Sequence, residues 1–255
     1  MEMISEASPR DARGAQPALV LLHGFALDSR MWRRQVEAFS PDHRVLTLDL
    51  PGFGPQAREL GEVDAAEQVL RALDVVKVDR AHFVANSFGA AVATDFALVH
   101  RDRVRSLTLT GPLLLGHRTG IEAWARCVAL AGEGDRATAA EIWLDDPLFE
   151  GMRDDEELFE ELRHIVLDYG GAHWTGQISS RWSEPDPGPQ LGALDVPALV
   201  ISGEKDIPSF LKMAEAYARA MPQARREVLP GAGHLANMEC PDAWNAVVRE
   251  FLAPL

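Results

Sequence analysis

Five short apolar runs punctuate the chain: Ala18 to Leu22, Val45 to Leu48, His82 to Ala85, Leu107 to Leu109, and Ala198 to Ile201. Rich in Val and Leu and without strict alternation, they have the pattern of strands covered on both faces in a parallel sheet. Between them, apolar residues recur at helical spacing. Val63, Ala66, Leu70 and Leu73 fall on one face; Phe210, Met213, Tyr217 and Met221 on a second; Trp244, Val247, Val248 and Phe251 on a third. The last two stripes open near Pro208 and Pro241, where a helix start tolerates the missing N–H. Strands alternating with helices predict an α/β fold: a doubly wound, mostly parallel sheet joined by right-handed crossovers.

The alternation breaks between Leu113 and Gln190. No convincing strand stands out there, whereas four of the six tryptophans do: Trp124, Trp143, Trp174 and Trp182. Phe149, Phe159 and a dense acidic, helix-like segment accompany them. This reads as a helical cap of residues 113–190 inserted into a core of residues 1–112 and 191–255. Ser183-Glu-Pro-Asp-Pro-Gly-Pro reads as the extended return, because each residue before a proline resists helix.

Composition narrows the class. A chain of 255 residues, 47% hydrophobic, is long and apolar enough for one substantial core. Thirty-nine acidic against 25 basic residues leave a net charge of -14, which repels phosphate backbones and anionic lipid. Ten of those negative charges fall in residues 113–190, as expected of a solvated helix face. The two cysteines, Cys127 and Cys240, form no CxxC and no Cys/His cluster, so neither a disulfide framework nor a metal site is expected. No apolar stretch reaches membrane-spanning length and no signal peptide is apparent, which gives an expectation of a cytoplasmic protein with no membrane or nucleic-acid partner. Gly52-Phe-Gly54 lacks the third glycine of a dinucleotide loop, and no cofactor is called for.

The chemistry gathers at strand ends. His82 to Ala85 runs into Asn86-Ser87-Phe88-Gly89 and then the small apolar segment Ala90-Ala-Val-Ala. This reads as strand, sharp turn and helix with Ser87 at the apex, and such an elbow requires small residues two positions either side, met by Ala85 and Gly89. A helix N-terminus at the serine points free amides toward any oxyanion formed there. The run Ala198 to Ser202 ends in Gly203-Glu-Lys-Asp206, and Pro230-Gly-Ala-Gly-His234 follows an expected edge strand at Glu227. Ser87, Asp206 and His234 occur in the order expected of a nucleophile, acid and base on a doubly wound sheet, with Glu204 as the rival acid. His234 would take the serine proton and return it to the leaving group. Asp206 would hold the imidazole tautomer and stabilise the imidazolium. Phe88 N–H is the first expected oxyanion donor and Phe25 N–H, after His23-Gly24, the second.

His23-Gly24-Phe25, Met31-Trp32, Asp49-Leu-Pro-Gly-Phe-Gly54, Ala85-Asn-Ser-Phe-Gly89, Gly203 to Asp206 and Gly231-Ala-Gly-His234 together resemble the α/β-hydrolase superfamily. Leu27-Asp-Ser-Arg-Met-Trp32 and Gly233-His-Leu-Ala-Asn-Met-Glu-Cys-Pro241 are most similar to small bacterial esterases and 3-oxoadipate enol-lactonases. The sequence departs from the family pattern in several places. Ala85 replaces the first glycine of Gly-x-Ser-x-Gly, and the early His23-Gly24 implies an N-terminal hairpin shortened to one strand. A short linker from Gly54 to Val63 implies a shifted first crossover helix. The missing Gly-Pro-Gly argues against a meta-cleavage carbon–carbon hydrolase, and the serine nucleophile argues against dehalogenases and epoxide hydrolases.

The resemblance implies a serine hydrolase that cleaves a small-molecule carboxylic ester or lactone through an acyl-enzyme. Its alternatives are a lyase, cyclase or acyl-transfer enzyme on the same fold, or a receptor-like binding module. The cap tryptophans are expected as pocket walls or as the cap's own core, and His164 and His173 as solvated or structural residues. An enol-lactonase must bind a carboxylate, which an acidic cap disfavours unless Arg126, Arg163 or Arg181 turns inward. A substrate with an apolar acyl part is therefore preferred.

Overall fold

Burial on both faces turns each apolar run into a strand. The computed structural model describes residues 4–6, 16–54 and 61–255. Its strands are β1 (Ile4–Glu6), β2 (Ala18–Leu22), β3 (Arg44–Leu48), β4 (Gly61–Asp64), β5 (Ala81–Asn86), β6 (Val104–Thr110), β7 (Ile178–Arg181), β8 (Ala198–Gly203) and β9 (Ala224–Leu229). Seven of them form one sheet in the order β1-β3-β2-β5-β6-β8-β9. All neighbours in it run parallel except β1, which pairs antiparallel with β3. This is the mostly parallel α/β sheet that the alternation implied; among the described residues β1 is the strand that precedes β2, and residues 7–15, on which the expected shortening of the N-terminal hairpin bears, lie outside them.

The helices are α1 (Arg33–Phe39), α2 (Ala65–Val75), α3 (Phe88–Val99), α4 (Trp124–Gly132), α5 (Arg136–Leu144), α6 (Glu156–Asp168), α7 (Pro208–Ala220), α8 (Ala236–Glu239) and α9 (Pro241–Leu252). Pro208 and Pro241 stand at the first position of α7 and α9, as their chemistry allows. Phe210, Met213 and Tyr217 are buried along α7, and Trp244 and Val248 along α9. Helix α3, rich in alanine, is buried from Phe88 to Ala97, which lets its backbone approach the sheet closely.

Two expectations need correction. The segment between β6 and β8 was read as strandless, yet it contains β7, which pairs parallel with β4 in a separate two-stranded sheet. The strand escapes the pattern because Ile178-Ser-Ser-Arg carries one apolar residue, so pairing with Gly61–Asp64 rather than burial defines it. Val63, assigned to the first helical stripe, lies in β4, and α2 begins two residues later with the Asp64 carboxylate capping the Glu67 amide. Residues 55–60 of the short linker fall outside the described residues.

The topology brings one set of loops together. The chain leaves β2 at His23-Gly24-Phe25, β5 at Ser87, β8 at Asp206 and β9 at His234, all from the C-terminal ends of parallel strands. In open α/β sheets that edge is where ligands bind.

Candidate active site

Ser87 occupies a backbone conformation that an L-residue adopts only under compulsion, with φ 49° and ψ -112°. The surroundings impose it. The Ser87 N–H donates to the Thr110 carbonyl while the Ser87 carbonyl accepts from Ala90, Ala91 and Leu113, fixing the turn between β5 and α3. A side chain at Gly89 would place its Cβ 2.5 Å from the Leu22 carbonyl oxygen and 2.6 Å from that of His23. The small residue two positions after the serine is thus required by contact with the neighbouring strand.

His234 is buried beside Asp206, and its Nδ1 lies 3.1 and 3.0 Å from the two carboxylate oxygens. An Nδ1–H donated to that carboxylate leaves Nε2 as the ring's acceptor. Phe210 packs edge-on against the imidazole at 4.4 Å. The rival acid faces elsewhere: Glu204 accepts the Gly231 N–H at 2.9 Å and makes no described contact with His234. Ser87 and His234 line the same cavity, although no hydrogen bond joins them among the described residues.

Several residues without an expected role hold this arrangement. The Asn86 amide group donates to the His234 carbonyl at 3.3 Å and to that of Thr110 at 3.2 Å. Glu239 accepts the amides on either side of His234, from Gly233 at 2.5 Å and Leu235 at 2.9 Å. Burial pushes its carboxyl above the ordinary range, while those two amides pull it down. A buried acid spaced to reach back to the histidine loop was the available signal within Gly233-His-Leu-Ala-Asn-Met-Glu239.

Phe25 and Phe88, whose amides are the expected oxyanion donors, both line the cavity. Phe88 is the first residue of α3, where an N–H has no intrahelical acceptor, and the Phe25 amide donates to no described residue. His23 holds the Phe25 loop in place: its Nδ1 lies 2.8 Å from the Gly24 carbonyl, and its Nε2 accepts the Leu50 N–H at 2.9 Å. These two bonds require the neutral ring, and burial accordingly lowers its basicity.

The cavity measures about 450 Å³, within the range of small-molecule pockets. Its walls are mainly apolar, from Phe25, Phe88, Leu113, Leu148 and Phe149 among others. Three of the four tryptophans of the inserted segment line it, Trp124, Trp143 and Trp182, whereas Trp174 packs behind them against Tyr169 and Trp143. No Lys or Arg belongs to the lining among the described residues. Arg126 is exposed, Arg163 pairs with Glu141 and Arg181 with Asp64, so none of the three turns inward. His164 is exposed, as expected, but His173 is not simply solvated: its ring lines the cavity and stacks on Phe53 at 4.4 Å.

No group of three or more Asp, Glu, His or Cys positioned for a metal occurs among the described residues, and none of their helices is long and apolar enough to cross a membrane. Cys127 and Cys240 are free.

The family model described as "Alpha/beta hydrolase family" matches residues 19–247. An acetyltransferase component of the acetoin cleaving system of Pseudomonas putida is 31% identical over 92% of this chain, which spans 63% of that protein's length. A thermophilic esterase from Thermogutta terrifontis superposes with a TM-score of 0.83 at 28% identity, covering 98% of this chain and 92% of its own. The enol-lactonase from Burkholderia xenovorans LB400 gives a TM-score of 0.83 at 26% identity, covering 98% of this chain and 95% of its own.

Proposed function

Because this chain belongs to the alpha/beta hydrolase family, we propose that it is a serine hydrolase cleaving an uncharged carboxylic ester or lactone through an acyl-enzyme. The observation that carries this reading is Ser87 held at φ 49° on the wall of an apolar 450 Å³ cavity that also presents the Asp206-bound His234. In the reaction, His234 Nε2 takes the Ser87 proton as Oγ attacks the substrate carbonyl, and then delivers it to the departing alkoxide oxygen. Asp206 keeps the ring in the tautomer that leaves Nε2 open and stabilises the imidazolium. The Phe25 and Phe88 amides receive the carbonyl oxygen as it gains charge. Water, activated by the same His234, then attacks the acyl-serine and releases the acid. Residues 113–190 act as a cap over this site, and their tryptophans size the acyl pocket.

The preference for an uncharged substrate rests on the wall chemistry. A carboxylate entering this cavity would lose its hydration with no Lys or Arg among the described lining residues to receive it. The test is a series of p-nitrophenyl esters of rising acyl length together with length-matched hemiesters ending in a carboxylate. The reading predicts a chain-length optimum for the neutral series and a kcat/KM at least ten times lower for the carboxylates. Hemiesters that match or exceed the neutral esters would overturn the substrate assignment.

A further inference from the structure

Within a mainly apolar wall, His173 is anchored in a way that fixes where its proton sits. The Tyr169 hydroxyl oxygen lies 3.0 Å from the His173 backbone N–H and 3.0 Å from the His173 ring Nδ1. A phenol oxygen has two acceptor lone pairs and one proton to give. One lone pair is engaged by the His173 amide, and Nδ1 is the one acceptor the buried Tyr169 hydroxyl reaches among the described residues, so the phenol proton goes to Nδ1, which is then the bare nitrogen of the ring. Burial keeps the phenol protonated by raising its pKa. The same burial, with His23 nearby, lowers the His173 pKa to about 4, so the ring is neutral and its single proton resides on Nε2.

That Nε2–H has no hydrogen-bond partner among the described residues, although the ring lines the cavity. Stacking on Phe53 at 4.4 Å and edge contacts with Phe25 at 5.6 Å and Phe88 at 6.0 Å hold the ring plane. Ser179 and Ser180 of β7 line the same cavity. A rigidly held neutral donor in such a site recognises an acceptor oxygen, and a ligand lacking that oxygen leaves the donor unsatisfied.

We propose that His173 is a specificity-determining residue whose Nε2–H binds a neutral acceptor oxygen, of an ether, carbonyl or hydroxyl group, carried by the substrate apart from the bond that breaks. The proposal rests on the esterase reading above and narrows its substrate class to oxygen-bearing esters or lactones. Tyr169 is the positioning residue that sets the tautomer.

Two measurements test it. The first compares p-nitrophenyl hexanoate with analogues in which one chain methylene is replaced by an ether oxygen at each position in turn, on wild type, His173→Phe and Tyr169→Phe. The wild type is expected to favour one oxygen position. Phenylalanine retains the stack on Phe53 and deletes the donor, so His173→Phe should reduce that preference about tenfold or more, and Tyr169→Phe should reduce it less. An equal loss on oxygenated and plain esters would mark His173 as structural and overturn the proposal. So would a carboxylate-bearing ester that is preferred and gains rate below pH 5.

The second measurement is nitrogen-15 NMR of His173 in the wild type, which needs no turnover. The expected spectrum shows a protonated Nε2 and a bare Nδ1 from pH 5 to pH 8. A ring protonated on Nδ1 would overturn the proposal. If a fluorophosphonate labels Ser87 while ester preference ignores oxygen position, this inference alone fails; if Ser87 is not labelled, the hydrolase reading fails.

Discussion

At the scale of single residues, the site is a set of hydrogen-bond obligations met in only one way. Asp206 and Glu204 stand two positions apart after β8, and pattern alone leaves either as the acid. The structure separates them by their partners: Asp206 meets His234 Nδ1 at 3.0 Å and Glu204 meets the Gly231 amide. Asp206→Asn should therefore lower kcat by roughly 10³–10⁴-fold by presenting the wrong tautomer partner. Glu204→Gln, which retains an acceptor for Gly231, should stay within about threefold. Steady-state kinetics on one ester checks both, and a Glu204 variant as damaged as the Asp206 variant would contradict the assignment. That Ser87, Asp206 and His234 come together at one edge of the sheet was legible because each follows a strand in a fixed chain order. Asn86 and Glu239 were not, because their role lies in backbone groups of His234 that approach only after folding. For His173 the sequence leaves solvated and structural readings open for the same reason: Tyr169 and Phe53, which hold it in the pocket wall, approach only after folding.

At the scale of elements, the elbow depends on how closely α3 approaches β2. The Cβ of an alanine at position 89 would meet two backbone carbonyl oxygens of residues 22 and 23, at 2.5 and 2.6 Å, and neither belongs to a flexible side chain. Gly89→Ala should destabilise the protein by about 1–3 kcal/mol, the usual cost of overpacking, and displace Ser87 as well. Chemical denaturation measures the first effect and turnover the second; a variant of wild-type stability and activity would contradict the close approach. The strands β2, β3, β5, β6 and β8 were readable as continuous apolar runs since both faces of each are covered. The pair β4 and β7 was not. Gly61–Asp64 and Ile178–Arg181 lie far apart in sequence, and each contains a single large apolar residue, so only their pairing reveals them. The segment between β6 and β8 is fastened through a similar long-range contact, the Ser183 amide and hydroxyl donating to buried Asp95 in α3. Burial raises the Asp95 pKa. Asp95→Ala should loosen the chain around Ser183 and raise KM for esters more than it lowers kcat, as steady-state kinetics would register.

At the scale of the whole molecule, buried histidines govern the response to acid. Desolvation lowers the pKa of His23 and His43, and takes His82 and His173 to about 4. In the unfolded chain each returns to about 6.5, so between those values the unfolded state binds more protons. The stability they contribute is present above pH 6.5 and is lost as pH falls from 6.5 toward 4. Asp95 and Glu239, raised by burial, oppose the loss at its acidic end. His82, buried at the foot of the sheet against Ser106, is remote from the reaction and isolates the effect. At pH 5 it should cost the protein about 1–2 kcal/mol relative to pH 7.5. In His82→Gln, thermal unfolding should show a correspondingly smaller drop in Tm over that interval, and an unchanged drop would contradict the assignment.

The central claim is that this fold presents one activated serine to a mainly apolar cavity. Its most direct test is intact-protein mass spectrometry after exposure to a fluorophosphonate, on the wild type and on Ser87→Ala. The account predicts a single adduct, localised to Ser87 by peptide mapping and absent from a variant that remains folded. A folded wild type that takes no adduct, or an adduct that persists in Ser87→Ala, would contradict it.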